Sequence, residues 1–231
     1  MLTTHVFTLA NRSMKKLLLA GVLLGCTSTF AQATNILVDT GDADQWMVKY
    51  LGTSSDWESE RSYVNGVLDP TGYSQAQAVH EDPAWVVGTP WISPEQSTYG
   101  PAGYYSYATT ISIADAGPTE SFSGLSIRFS ADNWVTAFVI NGMTYDGFTE
   151  VSNSYTYTGY EDIFIPSNGN ISWNVGGNNV IEIGIYNDGG PTGLSATIQA
   201  SYAPIPEPET WAMLLAGLGI VGAVARRIKQ Q

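Results

Sequence analysis

Residues 194–202 read Leu-Ser-Ala-Thr-Ile-Gln-Ala-Ser-Tyr, and every second side chain is apolar. In an extended chain successive side chains point to opposite faces, so this spelling describes a strand with one buried side and not a helix of 3.6-residue period. The same period recurs upstream. Phe122, Leu125, Ile127 and Phe129 keep it with a slip at Gly124, which marks an expected bulge. Tyr105, Tyr107, Thr109, Ile111 and Ile113 make another face. Residues 180–186 (VIEIGIY) form a further β-branched run, and 134–140 (WVTAFVI) lead straight into Asn141-Gly142, the dipeptide of a two-residue type I′ hairpin. Turn-forming residues cluster at 115–118, 167–170, 176–179 and 187–193. No amphipathic helical stretch of useful length falls between 34 and 203. Many short strands at regular spacing predict an all-β domain, an antiparallel jelly-roll β-sandwich.

Such a domain must hold itself together by packing. The one cysteine of the chain, Cys26, precedes it, so residues 34–203 have no disulfide to draw on, and about 170 residues suffice for one core. The charge is lopsided. Six of the nine basic residues lie outside this stretch, which keeps Lys49, Arg61 and Arg128 against nineteen acidic residues, a net charge of −16. A surface of that sign repels nucleic acid and anionic lipid, so neither is an expected partner.

The two ends differ from the middle. At the C-terminus, Pro204, Pro206 and Pro208 precede an uncharged run from Trp211 to Ala225, then Arg226, Arg227 and Lys229. Fifteen helical residues span about 22 Å, and the stems of the flanking arginines extend them toward the roughly 30 Å of a bilayer core. The prolines predict a stiff, extended spacer. At the other end, Met14-Lys15-Lys16, an apolar run from Leu17 to Gly25 and Ala31-Gln32-Ala33 have the form of a signal peptide cut after Ala33 by signal peptidase. Translation starts at Met14 or the charged segment is long. Leu23-Leu24-Gly25-Cys26 also has the form of a lipobox, with Cys26 as the lipidated residue, though the run from Ser28 to Ala33 favours cleavage after Ala33. The expected organisation is therefore 1–33 signal peptide, 34–203 sandwich and 204–231 tail.

The triplet Pro206-Glu207-Pro208, the apolar helix and the Arg226-Arg227 cluster, in this order, resemble the PEP-CTERM sorting signal of Gram-negative bacteria. The resemblance covers the last 26 or so residues. It implies export, temporary retention in the inner membrane by the helix, and removal of the tail by an exosortase. It also implies a destination at the cell surface or in an extracellular, exopolysaccharide or biofilm matrix. Within the middle stretch, "SADNWVTAFVINGM" (130–143) and "GGNNVIEIGIYNDGGPTGLSATIQASY" (176–202) are similar to galactose-binding-domain-like jelly rolls. In these an Ala-Asp-Asn closes one strand, the next runs into an Asn-Gly hairpin, and a Gly-x-Asn opens the penultimate strand. Asp132 and Asn133 are read as turn and capping residues.

Catalytic signals are sparse. His80 is the one histidine after the signal peptide, and neither a nucleophile elbow nor a zinc-type spacing occurs. On a strand, Asp56, Glu58 and Glu60 would share one side, and paired carboxylates can divide acid and nucleophile roles in a retaining glycosidase. That strand supports the alternative of a secreted glycan-active hydrolase. The expectation is a non-enzymatic surface or matrix protein, with extracellular polysaccharide as a candidate partner. Aromatic residues in Gly/Pro-rich loops, Trp91, Tyr99 and Tyr73, are the candidate sugar platforms, because flat rings stack on the CH faces of sugars. Asp39, Asp42 and Asp44 around Gly41 are a candidate for structural Ca²⁺, which favours oxygen-rich loops.

Overall fold

The computed structural model describes residues 33–53, 63–64, 67–79, 85, 90–118, 120–149, 156–205 and 208–229. In chain order the strands are β1 (Ala33–Asp39), β2 (Trp46–Gly52), β3 (Tyr63–Val64), β4 (Val67–Leu68), β5 (Ser74–Gln75), β6 (Gln77–Val79), β7 (Trp91–Ser93) and β8 (Tyr99–Gly100). They continue as β9 (Gly103–Ile113), β10 (Glu120–Asp132), β11 (Trp134–Ile140), β12 (Met143–Thr144), β13 (Glu161–Pro166), β14 (Gly177–Asn187), β15 (Gly190–Pro191) and β16 (Gly193–Pro204). One helix, α1 (Pro208–Lys229), follows.

Two sheets carry the domain. One runs β13–β10–β16–β7–β6, with β1 also paired to β16, and the other runs β12–β11–β14–β9–β2–β5. From β9 onward the long strands cross between sheets at every step: β9, β11 and β14 lie in the second sheet, β10, β13 and β16 in the first. All of these pairings are antiparallel. The expected jelly-roll sandwich is the fold observed.

Alternation explains the core. Leu194, Ala196, Ile198, Ala200 and Tyr202 of β16 and Leu125, Ile127 and Phe129 of β10 point inward, against Tyr105, Tyr107, Ile111 and Ile113 of β9 and Ile181, Ile183 and Ile185 of β14. Phe129 meets Phe138 across the gap, ring centroids 5.3 Å apart and edge to face. Ser195 and Ser201, on the polar face of β16, are buried as well, because this strand is central and has neighbours on both sides. Gly124 is the bulge: the register with β16 shifts between Phe122 and Gly124, and its φ of 150° brings the backbone against the Ile165 carbonyl, where a Cβ would collide. Asn141 and Gly142 have φ of 52° and 76°, as a type I′ turn requires, and they set Ile140 opposite Met143.

The strand registers define two ends of the sandwich. Asp132 opposite Gly193 and Gly103 opposite Asn187 lie at one, Glu120 opposite Pro204 and Ile113 opposite Gly177 at the other. The expected proline spacer is shorter than the sequence suggests. Pro204 is the last residue of β16, where the ladder ends and its missing N–H interrupts nothing beyond, and Pro208 is the first residue of α1, where that N–H would have no partner anyway. The helix thus starts three residues before Trp211.

Candidate functional site

Only residues 205–207 separate β16 from α1, so the chain from Pro204 to Pro208 reaches at most about 15 Å. The helix is 22 residues long, about 33 Å, and its stretch Trp211–Ile228 is long and apolar enough to cross a membrane. None of that stretch is buried against the protein, whereas the helix of a globular core would hide one face. Arg226 and Arg227 stand exposed at its C-terminal end, where cations complement the helix dipole and suit an interfacial position. Pro206 and Glu207 lie outside the described residues.

Beside this exit is an open groove of about 600 Å³. Asp115 and Gly117 of the β9–β10 turn, Glu120 and Phe122 at the start of β10, and Trp173 and Val175 of the β13–β14 loop line it together with Ile205. Trp173 is half-buried. Its Nε1–H donates to the Pro166 carbonyl at 3.4 Å, and its ring meets Phe122 edge-on at 5.1 Å. Behind it Phe122 meets Tyr202, whose hydroxyl donates to the Ala114 carbonyl at 3.2 Å. Val175 and Ile205 are 46% and 42% exposed, well beyond what their apolar side chains would have in a core.

The loop that carries Trp173 is fixed by an amide network. Asn141 accepts the Val180 N–H at its Oδ1 (2.9 Å), and its Nδ2 donates to the Ser172 carbonyl and to Asn179 Oδ1, both at 2.9 Å. Asn179, fully buried, also accepts the Asn174 N–H at 2.8 Å and donates to the Asn174 carbonyl at 3.0 Å. The Asn-Gly turn and the Gly-x-Asn sequence therefore do more than reverse the chain: together they hold the wall of the groove.

The sugar platforms expected from sequence fare differently. Trp91 is fully buried and stacks on Trp85 at 4.3 Å, so it has no face to offer a ligand; Gly and Pro around it suggest a loop, but β7 sits between β16 and β6. Trp85 in turn donates its Nε1–H to Asp132 Oδ2 at 2.7 Å. Tyr73 is half-buried, and its hydroxyl lies 3.1 Å from Glu182 Oε2 and 2.8 Å from Ser106 Oγ, which pins the segment after β4 onto the second sheet. Tyr99 remains 64% exposed, on β8 at the end of the sandwich opposite the groove. Asp132 and Asn133 have the structural role expected. The Thr192 hydroxyl donates to the Asp132 carbonyl at 3.2 Å, and Asn133 Oδ1 accepts the Asp188 N–H at 2.8 Å.

The carboxylates near Gly41 do not come together. Asp39 Oδ1 accepts the Gly41 N–H at 2.7 Å, Asp42 Oδ2 accepts from Gln45 Nε2 at 2.6 Å, and Asp44 lies inside the 3₁₀ turn Ala43–Gln45. Among the described residues no three His, Cys, Asp or Glu side chains form a group that could hold a metal ion. Asp39, Asp42 and Asp44, expected from sequence as a Ca²⁺ site, do not form such a group here, and local turn bonds engage one carboxylate oxygen of Asp39 and one of Asp42. Asp56, Glu58 and Glu60, together with His80, Met14, Cys26 and Ala31, lie outside the described residues. Ala33 is the first residue of β1, opposite Tyr202, so a cut after it would leave Thr34 opposite Ser201 as the first pair.

No curated protein matches this chain. Among solved structures, a Bacteroides fragilis protein described as a beta-galactosidase is 11% identical with a TM-score of 0.37; the match covers 74% of this chain and 23% of that one. A family 35 carbohydrate binding module from Clostridium thermocellum is 14% identical with a TM-score of 0.32, over 55% of this chain and 88% of the module. The chain thus spans less than a quarter of the length of the first of these. The tail is matched more specifically, from the end of β16 to the last turn of α1: residues 204–229 carry a PEP-CTERM protein-sorting motif.

Proposed function

We propose that this chain is an exported exosortase substrate whose sandwich works outside the cell, without catalysis, as a glycan-contacting surface or matrix module. The sorting motif at 204–229 carries the export and processing in this reading, and the exposed apolar helix behind the last strand supports them. The motif implies processing by an exosortase and a transient membrane anchor. Signal peptidase acts after Ala33, and the surface or matrix destination follows from release of the tail. The cationic end formed by Arg226 and Arg227 stays on the cytoplasmic side by the positive-inside rule, which puts Pro206-Glu207-Pro208 just outside the membrane.

Replacing Pro206-Glu207-Pro208 by alanines is the test. Export should continue while the protein accumulates in the inner membrane, and mass spectrometry of the extracellular wild-type protein should find no peptide from 214–229. Extracellular protein that still carries those residues would show α1 to be a permanent anchor.

A further inference from the structure

The groove beside the tail has a chemistry of its own. Its wall is aromatic and apolar: Trp173 is held from two sides, by the bond to Pro166 and by Phe122, and Val175 and Ile205 are open to solvent. Its rim is acidic and hydroxylated, with Asp115, Glu120, Ser121 and Ser172 on the lining. At about 600 Å³ it has the size of a small-ligand cleft. It is assembled from three separate segments of the sandwich, with its loop wall fixed by the Asn141–Asn179 amides.

We propose that this groove binds a neutral glycan. A ring held in place loses little freedom when a sugar stacks on it, so Trp173 is suited to the CH face of a pyranose. Carboxylates accept hydroxyl hydrogen bonds and are the groups that fix orientation in such clefts, a role open to Asp115 and Glu120. The same two carboxylates, on a domain of net charge −16, repel uronates, sulfated glycans and phosphates. Lipid tails find no enclosed apolar slot here, since the groove is open and Asp115, Glu120 and three serines interrupt its apolar lining. The proposal rests on the reading of the sandwich as a glycan-contacting module, and it names the place and the sugar class. Tyr99, exposed at the opposite end, serves as the internal control.

The full-length protein in detergent is run through native gels containing galactomannan, a soluble β-1,3-glucan or polygalacturonate. One or both neutral polymers should retard it and polygalacturonate should not. Val175→Glu, at an exposed position of the wall, should weaken retardation at least tenfold with its melting temperature unchanged, as should Trp173→Ala where that variant folds; Tyr99→Ala should behave as wild type. Retardation lost in Tyr99→Ala and kept in Val175→Glu would overturn the groove while leaving glycan contact in place. Retardation by polygalacturonate alone would overturn the sugar class. No retardation by any of the three would overturn both the groove and the glycan part of the proposed function, whereas sorting stands or falls separately with the alanine replacement of the Pro-Glu-Pro triplet.

Discussion

Tyr105 and Tyr107 point into the core from β9, and each carries an ionisable hydroxyl, that of Tyr105 donating to the Pro101 carbonyl at 2.9 Å. Burial pushes Tyr105 up to about 12 and Tyr107 further in the same direction, because a phenolate would have to be desolvated. A folded-state pKa above the unfolded value of about 10 means that the fold favours the neutral phenol. That contribution is fully present below pH 10 and is lost as the pH rises toward 12 and beyond. Raising the pH through this window should therefore unfold the domain, with phenolate absorbance and loss of β circular dichroism appearing together. Phenolate absorbance that rises fully near pH 10 while the circular dichroism stays native would count against it. The residue scale is also where sequence reading was least reliable. Trp91 and Tyr73 have the composition of ligand platforms, yet one is stacked in the core and the other spends its hydroxyl on Glu182 and Ser106. Neighbours far along the chain decide such roles, and a local stretch of sequence does not record them.

Among the elements, the β11–β12 turn has the widest reach. Asn141 combines a left-handed backbone with three side-chain hydrogen bonds to residues 172, 179 and 180. Asn141→Ala both strains φ and strips a partner from buried Asn179, so the expected cost is about 1–3 kcal/mol, or several degrees of melting temperature. Thermal unfolding followed by circular dichroism measures it; a shift below one degree would show that the network is dispensable. The long strands were legible because one face of each is buried, which imposes a two-residue alternation. The two- and three-residue strands such as β4 and β15 were not, since they are too short to display any period. The early start of α1 was hidden by its own proline, which reads equally as spacer or as first helical residue.

For the molecule as a whole, residues 34–203 contain every described strand that builds the two sheets, apart from Ala33 and Pro204 at the margins. Expressed alone they should form a soluble, monomeric domain with a β-type far-UV spectrum, since the core is internal and the net charge of −16 opposes self-association. A helical spectrum, or a dimer in sedimentation, would refute this. The architecture could be anticipated at this scale, whereas the groove could not: its walls come from 115–122, 167–175 and 205, and only the closed sandwich brings them together.

The order of synthesis gives the topology a temporal meaning. β16 is the last strand made, yet it stands inside its sheet, bonded to β10 along its length and to β1 and β7 on its other side. Until it arrives, β1 and β10, separated by eighty residues of chain, have no common partner and must wait as unsatisfied edges. A chain threaded outward from its N-terminus therefore completes its fold only when its final strand has emerged, and three residues later the apolar helix halts the thread. Closure of the sandwich and arrest in the bilayer become nearly one event, so the nascent domain matures within about 15 Å of the place where it is tethered.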